Sequence, residues 1–474
     1  MGGNELEKLR EELSEITGSI LRLIAERRRL SLRIGEVKAA SGKPLLDREA
    51  EAALLRKMLN LCGELGLDEE LCRRILLMLI EDSLNLQRTK LVEKKADPLA
   101  YRKIFARAAE LYRMGKPVIR TEVGQPDFTA PPEVMATAYE AMRKGYGRYA
   151  PAAGIPELRK ALAENLSQRY GVDLKPENVV VTLGGAMAVY SAIEALTKPG
   201  DEVMVVEPAW PIYGHQARTY GRRVVSAMTR LEDDWDPIKP LEEGLTEATR
   251  LVVVNYPNNP TGKVLSRKDF GRLLETASEL DAWVLSDEVY RDFLFEGEDL
   301  SALQFPDAKT VVVGSFSKSW GMTGYRIGYL VAEEEVARRA ALVQNTVATC
   351  VPEFVQYAAI EALKQVEVAR KNVETVRRRL EVLSEELGGS NLIEFTKPQG
   401  AMYLFPRIKV DGLDSIDFAW KLLEKKGVGV APGTSFGEGY SNYIRISAVR
   451  PVEELREAAR KILEAAEEAA AGKL

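Results

Sequence analysis

The chain has 474 residues, of which 46% are hydrophobic, and this length predicts two or three globular domains. Its formal net charge of −5 gives no reason to expect a nucleic-acid partner. The N-terminus is charged within its first turns and no run of about 18 apolar residues occurs. We therefore expect neither a signal peptide nor a membrane-spanning helix.

The cysteine and histidine content limits the possible chemistry further. The three cysteines, Cys62, Cys72 and Cys350, are scattered and lack metal-ligand spacing. This pattern predicts a reducing, cytoplasmic location and no disulfide framework. The single histidine, His215, makes a histidine-based metal site or catalytic triad improbable, so no metal is expected.

The first ninety or so residues have a helical pattern, with apolar residues at alternating steps of three and four. These residues are Leu6, Leu9, Leu13, Ile16, Ile20 and Leu23, continued by Leu30, Ile34 and Val37. The sequence S-G-K-P at 41–44 predicts the end of this helix. Two further helices are predicted at about 47–65 and 68–94. Because a lone helix of about forty residues cannot bury its apolar stripe, we expect an intertwined dimer.

Charged residues interrupt this apolar seam. Arg27 occupies the position that the series 6, 13, 20 would give to an apolar residue. Arg10 and Lys38 share another heptad position and lie roughly 42 Å apart along one helix. An antiparallel partner helix would bring Arg10 of one protomer near Arg27 and Lys38 of the other. On the third helix, Ser83 and Gln87 form a polar pair one turn apart on an otherwise apolar face.

Residues 5–92 resemble the all-helical AroQ-type chorismate mutases through R-x(16)-R-x(10)-K, A-E-R-R, G-K-P and I-E-D-S-x-x-x-Q. The resemblance implies a rearrangement of chorismate to prephenate without a cofactor, in which cations hold the two carboxylates of the substrate. The residues implied to bind the substrate by matched position are Arg10, Arg27, Lys38, Asp47, Glu51, Ser83 and Gln87. Those implied to be catalytic are Arg27, Lys38, Glu51 and Gln87.

One position departs from this family. The family usually has an arginine directly before the position of Glu51. In this chain that preceding residue is Ala50. Arg48 lies two residues before Ala50, about 200° around the helix. A shift of register would match D-R-E at 47–49 to the family, whereas the ungapped register preserves the apolar positions between 54 and 61. The alternative hypothesis is that the helical segment is a non-catalytic dimerisation or effector-binding module.

The sequence K-K-A-D-P at 94–98 predicts a boundary between a helical domain at 1–95 and a second domain at 96–474. Beyond it, strand-like runs alternate with helical patterns such as 267–280, which predicts an α/β fold with a mostly parallel sheet. The predicted strands are 179–181, 203–206, 251–254, 283–285, 311–313 and 327–331. A large domain is expected at about 130–345, and a smaller α+β domain at about 96–129 and 346–474.

Polar motifs follow four of these strands, at the edge where open α/β sheets bind ligands. They are T-L-G-G-A-M after Val181, N-Y-P-N-N-P-T-G after Val254, S-D-E-V-Y after Leu285 and G-S-F-S-K after Val313. Together they offer a phosphate cradle, a carboxylate, a phenol and an amine. A pyridoxal 5'-phosphate (PLP) site needs this set of groups.

The region from about 97 to 468 resembles the class I, fold-type I aminotransferases, which are PLP enzymes, through N-N-P-T-G, D-E-x-Y and S-x-S-K-x-x-G-x-x-G-x-R. The resemblance implies that Lys318 forms the Schiff base with PLP and acts in catalysis with Asp287 and Tyr290. The other implied cofactor contacts are Asn259, Ser315, Ser317, Arg326, Gly185, Ala186 and Trp210, with Tyr149 reaching the neighbouring subunit. The implied substrate contacts are Arg445, Gly124 and Asn259.

The choice of keto acid depends on Ala186 and on the mutase resemblance. Many relatives have a lysine at position 186 that reads a distal carboxylate, and its absence leaves room for an aromatic ring. Prephenate, the mutase product, is one step from phenylpyruvate. The sequence thus predicts a bifunctional enzyme of aromatic amino-acid biosynthesis, a homodimer or larger, that aminates prephenate or an aromatic keto acid with glutamate or aspartate. The alternative is an aspartate-type or aromatic aminotransferase with a non-catalytic helical module.

Overall fold

The structure is a computed structural model that describes residues 2–41, 47–91 and 100–474. The chain divides into two compact units, Met1–Asp97 and Pro98–Leu474. The predicted boundary at 94–98 and most of the predicted helix stop at 41–44 lie outside the described residues. Within the described residues, no helix has the length and apolar character needed to cross a membrane.

The first unit contains three long helices in its described part. They are α1 (Gly2–Ala40), α2 (Arg48–Glu64) and α3 (Glu69–Leu91), and α3 packs against both others. The side chain of Asp47 caps α2 by accepting a 3.1 Å hydrogen bond from the amide of Ala50. The prediction of an all-helical N-terminal fold is confirmed.

The apolar seam of α1 is largely uncovered in one chain. Its exposed residues are Leu6, Leu9, Leu13, Ile16, Ile20, Leu23, Leu30, Ile34 and Val37, with relative exposures between 50% and 69%. An apolar stripe of this length on a folded helix marks a surface that another helix can cover.

The cysteines depart from the sequence-based expectation. Cys62 in α2 and Cys72 in α3 form a disulfide, with their Cα atoms 6.4 Å apart. The two helices are joined by a short loop and run back along each other, so residues ten positions apart meet across the hairpin. The prediction that the cysteines form no disulfide framework is wrong here, and they no longer support a reducing location. Cys350 is free.

The second unit combines helices with two groups of strands. Its helices are α4 (Ala100–Arg113), α5 (Pro132–Arg143), α6 (Pro156–Tyr170), α7 (Gly185–Leu196), α8 (Ile212–Thr219), α9 (Ile238–Gly244), α10 (Arg267–Glu279), α11 (Glu334–Ala348), α12 (Glu353–Lys364), α13 (Val366–Gly388), α14 (Ser415–Lys421) and α15 (Val452–Ala470). Its strands are β1 (Ile119–Arg120), β2 (Val179–Thr182), β3 (Glu202–Glu207), β4 (Arg223–Met228), β5 (Thr249–Asn255), β6 (Trp283–Asp287), β7 (Thr310–Ser315), β8 (Gly328–Val331), β9 (Ile393–Glu394), β10 (Tyr403–Leu404), β11 (Arg407–Ile408), β12 (Val428–Gly429), β13 (Ala431–Pro432) and β14 (Ile444–Ser447).

A seven-stranded sheet forms the centre of this unit, in the order β2-β8-β7-β6-β5-β3-β4. The strands from β7 to β4 are parallel, whereas β8 is antiparallel to both β7 and β2. The prediction of a mostly parallel α/β sheet is confirmed. The edge strand β4 was not predicted, because its sequence R-V-V-S-A-M alternates in burial and has no continuous apolar run.

A second hydrophobic core joins α4, α13 and α15 to the small sheet β10-β14-β13. Leu380 of α13 and Ile462 of α15 are buried there beside Ile104 of α4. The strands of this small sheet carry Tyr403 and Arg445, and both side chains also line the cavity beside the large sheet. The second core therefore positions residues of the candidate site.

Candidate active site

A cavity of about 360 Å³ lies at the carboxyl ends of β5, β6 and β7. Because these strands are parallel, the residues that follow them open on the same edge of the sheet. The predicted cofactor and substrate residues that line this cavity are Gly124, Gly185, Ala186, Trp210, Asn259, Asp287, Tyr290, Ser315, Ser317, Lys318, Arg326 and Arg445. Tyr149 is not among its lining residues and is 87% exposed.

The amine of Lys318 is held at the cavity by a backbone carbonyl. Its Nζ donates a 2.5 Å hydrogen bond to the oxygen of Gly124 and lies 5.7 Å from the centre of the Tyr290 ring. A Cβ atom at position 124 would lie 2.1 Å from the hydroxyl of Tyr403, so this position requires glycine. The close approach lets the chain present its carbonyl to the lysine.

Asp287, the last residue of β6, is a buried carboxylate. Its Oδ2 accepts a 2.6 Å hydrogen bond from the hydroxyl of Tyr213, and its Oδ1 accepts one of 3.2 Å from the amide of Val289. Burial raises the pKa of Asp287 to about 6, while the two hydrogen bonds act in the opposite direction. The carboxylate can therefore be ionised at neutral pH although it is only 2% exposed.

The loop that follows β5 is tied to the same carboxylate-bearing strand. The amide of the Asn255 side chain donates a 2.7 Å hydrogen bond to the backbone oxygen of Asp287. In return, Oδ1 of Asn255 accepts a 2.8 Å hydrogen bond from the backbone amide of Asn259. Asn255 thus fixes Asn259 beside the end of β6, where both Asn259 and Asp287 line the cavity.

A cradle for an anion lies between α7 and the loop after β7. Ser315, Ser317 and Arg326 line it together with Gly185, the first residue of α7. Gly184 has a φ of 76°, and a Cβ atom there would lie 2.7 Å from a terminal nitrogen of Arg326. Hydroxyls, a guanidinium and a helix N-terminus are the donors that a phosphate group needs.

Arg445 of β14 is buried and oriented by two oxygen atoms. Its Nη1 donates a 3.1 Å hydrogen bond to Oδ1 of Asn259, and its Nη2 donates one of 2.7 Å to the backbone oxygen of Glu122. Its guanidinium carbon lies 4.4 Å from the centre of the Tyr403 ring and 5.0 Å from that of Phe436. A buried, preoriented guanidinium on a cavity wall is suited to bind a carboxylate.

Several residues that shape the site were not predicted from the sequence. Tyr213 contacts Asp287, and Tyr403 shares a 2.6 Å hydrogen bond between hydroxyls with Tyr290. Glu122 is fully buried behind Arg445, and burial raises the pKa of its carboxyl group. The signal for Tyr213 was its place three residues after Trp210; Trp210 directly precedes the N-cap of α8, and the two ring centres lie 5.5 Å apart. Tyr403 gave no local signal, since its partners are distant in sequence.

The cavity fits PLP by the chemistry of its donors. The anion cradle at Ser315, Ser317 and Arg326 would hold the phosphate, and Asp287 would face the pyridine nitrogen. Lys318 is the amine available for attachment, and its Nζ has a polar contact with Gly124 that a bound aldehyde could replace. This set of donors on an α/β fold is the one that a PLP site needs.

In the first unit, the structure brings together three of the predicted mutase residues in neighbouring turns. Arg27 donates 2.5 Å hydrogen bonds to the hydroxyl of Ser83 and to the backbone oxygen of Leu79. Burial lowers the pKa of Arg27. One turn further along α3, the side-chain amide of Gln87 donates a 2.7 Å hydrogen bond to the backbone oxygen of Ser31. The polar seam positions of α1 and α3 therefore face each other.

The other predicted mutase residues are more dispersed. Arg10 is exposed near the start of α1, whereas Lys38 is half-buried near its end. Asp47 is exposed and caps α2, and Glu51 is half-buried one turn later. The side chain of Arg48, the alternative cation, lies outside the described residues. One chain therefore does not bring Arg10 to Arg27.

Comparison with known protein families assigns both units. Residues 116–462 match the family model for aminotransferase class I and II, and residues 9–88 match that for chorismate mutase type II. The chain belongs to the class I and II aminotransferases and carries a chorismate mutase type II domain ahead of the aminotransferase region. The resemblances inferred from the sequence are confirmed, and the chain is an enzyme.

Individual relatives cover the aminotransferase region. An aspartate aminotransferase of Pyrococcus horikoshii is 36% identical over 373 residues, which cover 77% of this chain and 94% of that protein. An aspartate/prephenate aminotransferase of Thermus thermophilus is 37% identical over 366 residues, covering 76% and 94%. The crystal structure of an aspartate aminotransferase from Thermotoga maritima is similar with a TM-score of 0.73 at 34% identity, covering 77% and 96%.

Proposed function

We propose that the chain is a bifunctional enzyme of aromatic amino-acid biosynthesis. Its helical domain, residues 1–95, rearranges chorismate to prephenate. Its second domain, residues 96–474, transfers an amino group from glutamate or aspartate to prephenate or to an aromatic keto acid such as phenylpyruvate. In this second domain, residues of about 130–345 form the large PLP-binding part, and about 96–129 with 346–474 form the smaller part.

The observation that carries the transaminase proposal is the meeting of Lys318, Asp287 and Arg445 on one cavity. When bound, PLP supplies an electron sink that weakens the bond from the substrate α-carbon to its hydrogen. Arg445 binds the α-carboxylate, because its guanidinium is fixed by Asn259 and by the carbonyl of Glu122. This contact fixes the orientation of the α-carbon in the cavity.

Lys318 moves the proton at that α-carbon. Its amine needs a neutral form and a defined position, and the carbonyl of Gly124 supplies the position. Asp287 would hold the positive charge of the ring nitrogen of bound PLP, since its carboxylate is ionised above about pH 6. Tyr290 and Asn259, which both line the cavity, would bind the hydroxyl of the cofactor ring. The hydroxyl of Tyr290 shares a hydrogen bond with that of Tyr403.

The mutase proposal is supported by the polar cluster of Arg27, Ser83 and Gln87 between helices α1 and α3. Cations at Arg27 and Lys38 would hold the two carboxylates of chorismate, and Gln87 would donate to its ether oxygen. Arg10 would come from a partner subunit, whose α1 would cover the exposed apolar seam of this chain. Asp47, Glu51 and Ser83 would complete the contacts to the substrate.

Both units support a homodimer or a larger homo-oligomer. The uncovered seam of α1 is an apolar surface that a partner helix would cover. Tyr149 is exposed on its own chain. This exposure would allow its side chain to reach the phosphate site of a neighbouring subunit. A cytoplasmic location is proposed from the substrates alone, since the Cys62–Cys72 disulfide does not support it.

The choice of keto acid rests on Ala186, which lines the cavity without a charge, and on the mutase domain that supplies prephenate. The Thermus relative is named an aspartate/prephenate aminotransferase, which supports prephenate as a substrate of this chain. The test is the half-reaction of the aminated holoenzyme with each keto acid, followed by the cofactor absorbance. We expect reaction with prephenate or phenylpyruvate. Reaction with oxaloacetate alone would overturn the proposal.

The second candidate function is an aminotransferase whose helical domain is a non-catalytic dimerisation or effector-binding module. Ala50 favours it, because this exposed position at the start of α2 lacks the arginine that the mutase family usually has. The intact chain distinguishes the two functions. Loss of chorismate absorbance that disappears in Arg27→Ala supports the mutase, and no loss in the native chain supports the module.

A further inference from the structure

The cavity wall carries three cations among its described residues, Lys318, Arg326 and Arg445. Under the proposed function each has a task, at the amine, the phosphate and the α-carboxylate. A keto acid with a second carboxylate therefore finds no additional positive charge on the wall itself. Within one chain, a group that binds the second carboxylate would therefore lie at the rim of the cavity.

Helix α4 forms an aromatic part of that wall. Tyr101 and Phe105 both line the cavity and lie one turn apart, with ring centres separated by 5.2 Å. Phe105 packs against the cluster that contains Phe436, whose ring lies 5.0 Å from the guanidinium of Arg445. An aromatic surface thus extends from the α-carboxylate clamp to the first turns of α4, and a six-membered ring could pack along it.

Arg102 stands at the edge of this aromatic surface. Its Nε lies 3.4 Å from the hydroxyl of Tyr101, and its guanidinium carbon lies 6.0 Å from the centre of the Tyr101 ring. The side chain is exposed, and within the described parts of the chain it takes part in no ion pair. Its positive charge is therefore available beside the wall, where a long side chain can reach an anion at the cavity mouth.

We propose that Tyr101, Phe105 and Arg102 form a side-chain subsite for keto acids that carry both a six-membered ring and a second carboxylate. The inference rests on the proposed transaminase function and narrows its substrate class. Prephenate has this shape, because one ring carbon bears both the carboxylate and the oxo-acid chain. Phenylpyruvate would use the aromatic wall without Arg102, and oxaloacetate would have no ring for the wall.

Three non-reacting acids separate these contributions when their binding to the PLP-loaded chain is measured by calorimetry. The first acid is phenylglutarate with its ring on the carbon beside one carboxylate, and it has both a ring and a second carboxylate. Phenylbutanoate has the ring but no second carboxylate, and glutarate has the second carboxylate but no ring. We expect Arg102→Gln to weaken phenylglutarate and glutarate about five- to tenfold and to leave phenylbutanoate unchanged. The matched control is Arg113→Gln, an exposed arginine in the last turn of α4, which should change none.

The wall is tested by Phe105→Ala, with Phe105→Leu as a variant that keeps most of the packing. We expect the alanine variant to weaken the two ring-bearing acids about tenfold and to leave glutarate within twofold. The leucine variant should show a smaller effect in the same direction. An equal loss for all three acids in both variants would indicate general damage to the cavity and would overturn the assignment of Phe105.

The proposal for Arg102 is overturned if Arg102→Gln weakens all three acids equally, changes none of them, or matches Arg113→Gln. Failure of the underlying function has a different signature. In that case the native chain would bind phenylglutarate with the expected dependence on Arg102, yet would aminate neither prephenate nor phenylpyruvate. Binding and turnover therefore report on the subsite and on the proposed function separately.

Discussion

The hydroxyl of Tyr213 donates a 2.6 Å hydrogen bond to Oδ2 of Asp287, and both side chains are buried. Burial raises the pKa of Asp287 to about 6, and the Tyr213 hydrogen bond opposes this rise by stabilising the carboxylate. The phenol therefore helps to keep Asp287 ionised near neutral pH. In that state the carboxylate can hold a protonated pyridine nitrogen.

Replacement of Tyr213 by phenylalanine should raise the pKa of Asp287 further, since the carboxylate loses a donor. Because Asp287 is ionised only above its pKa, PLP affinity in the native chain should fall as the pH drops through about 6. In Tyr213→Phe the fall should begin roughly one pH unit higher. The measurement is a titration of the apo chain with PLP by tryptophan fluorescence at several pH values.

Two variants control this experiment. Asp287→Asn has no titrating carboxylate at this position and should lose the corresponding pH step. Tyr139→Phe, which removes the hydroxyl of an exposed tyrosine of α5, should behave as the native chain. An unchanged midpoint in Tyr213→Phe would show that the hydrogen bond does not set the ionisation of Asp287.

Arg445→Lys should weaken keto-acid binding although the charge is kept. A lysine cannot contact Asn259 and the carbonyl of Glu122 while also making two parallel hydrogen bonds to a carboxylate. We expect kcat/KM to fall about a hundredfold, about 3 kcal/mol, mainly through KM. PLP affinity should be unchanged, and Arg338→Lys on the exposed face of α11 should have no effect. A large fall in PLP affinity would contradict the assignment to the substrate.

Arg27→Ala should abolish the mutase reaction and leave transamination unaffected. Arg27 is half-buried against Ser83, and its loss removes a cation from the polar cluster. We expect the rate of chorismate loss to fall by about three orders of magnitude. Arg28→Ala is the matched control, because the neighbouring arginine forms a more exposed ion pair with Asp82. Equal activity of the two variants would argue against a catalytic role for Arg27.

Reduction of the Cys62–Cys72 disulfide should destabilise the helical unit. The bond closes a short loop between α2 and α3 and restricts the unfolded chain. We expect the free energy of unfolding of this unit to fall by about 3 kcal/mol on reduction. Thermal unfolding with and without a thiol reductant measures the change. The double variant Cys62→Ser, Cys72→Ser should no longer respond to the reductant, and a response there would contradict the disulfide as its source.

The central strands and the residues at their ends could be predicted because each has a local signal. Lys318, Asp287 and Asn259 each follow a short apolar run, and parallel strands bring such residues to one edge. The long first helix was equally clear, since its apolar repeat continues over many turns.

Contacts between residues distant in the sequence could not be predicted. The hydrogen bond of Tyr403 to Tyr290 and the burial of Glu122 behind Arg445 depend on how the small sheet packs beside the large one. The disulfide was missed for a different reason: the sequence predicted the two helices, but the spacing of Cys62 and Cys72 does not show which turns of those helices lie side by side.

The most direct test of the account is the conversion of chorismate by the intact PLP-loaded chain with glutamate as amino donor. We expect chorismate to be consumed and an aminated ring-bearing product to accumulate with an equal amount of oxoglutarate. If prephenate is the acceptor, this product forms from chorismate alone; if phenylpyruvate is the acceptor, it forms when phenylpyruvate is added. Arg27→Ala should block formation of the aminated product from chorismate but not from added prephenate or phenylpyruvate. One result would contradict the proposed function: the chain consumes chorismate and rapidly aminates oxaloacetate, but forms no aminated product from prephenate or phenylpyruvate.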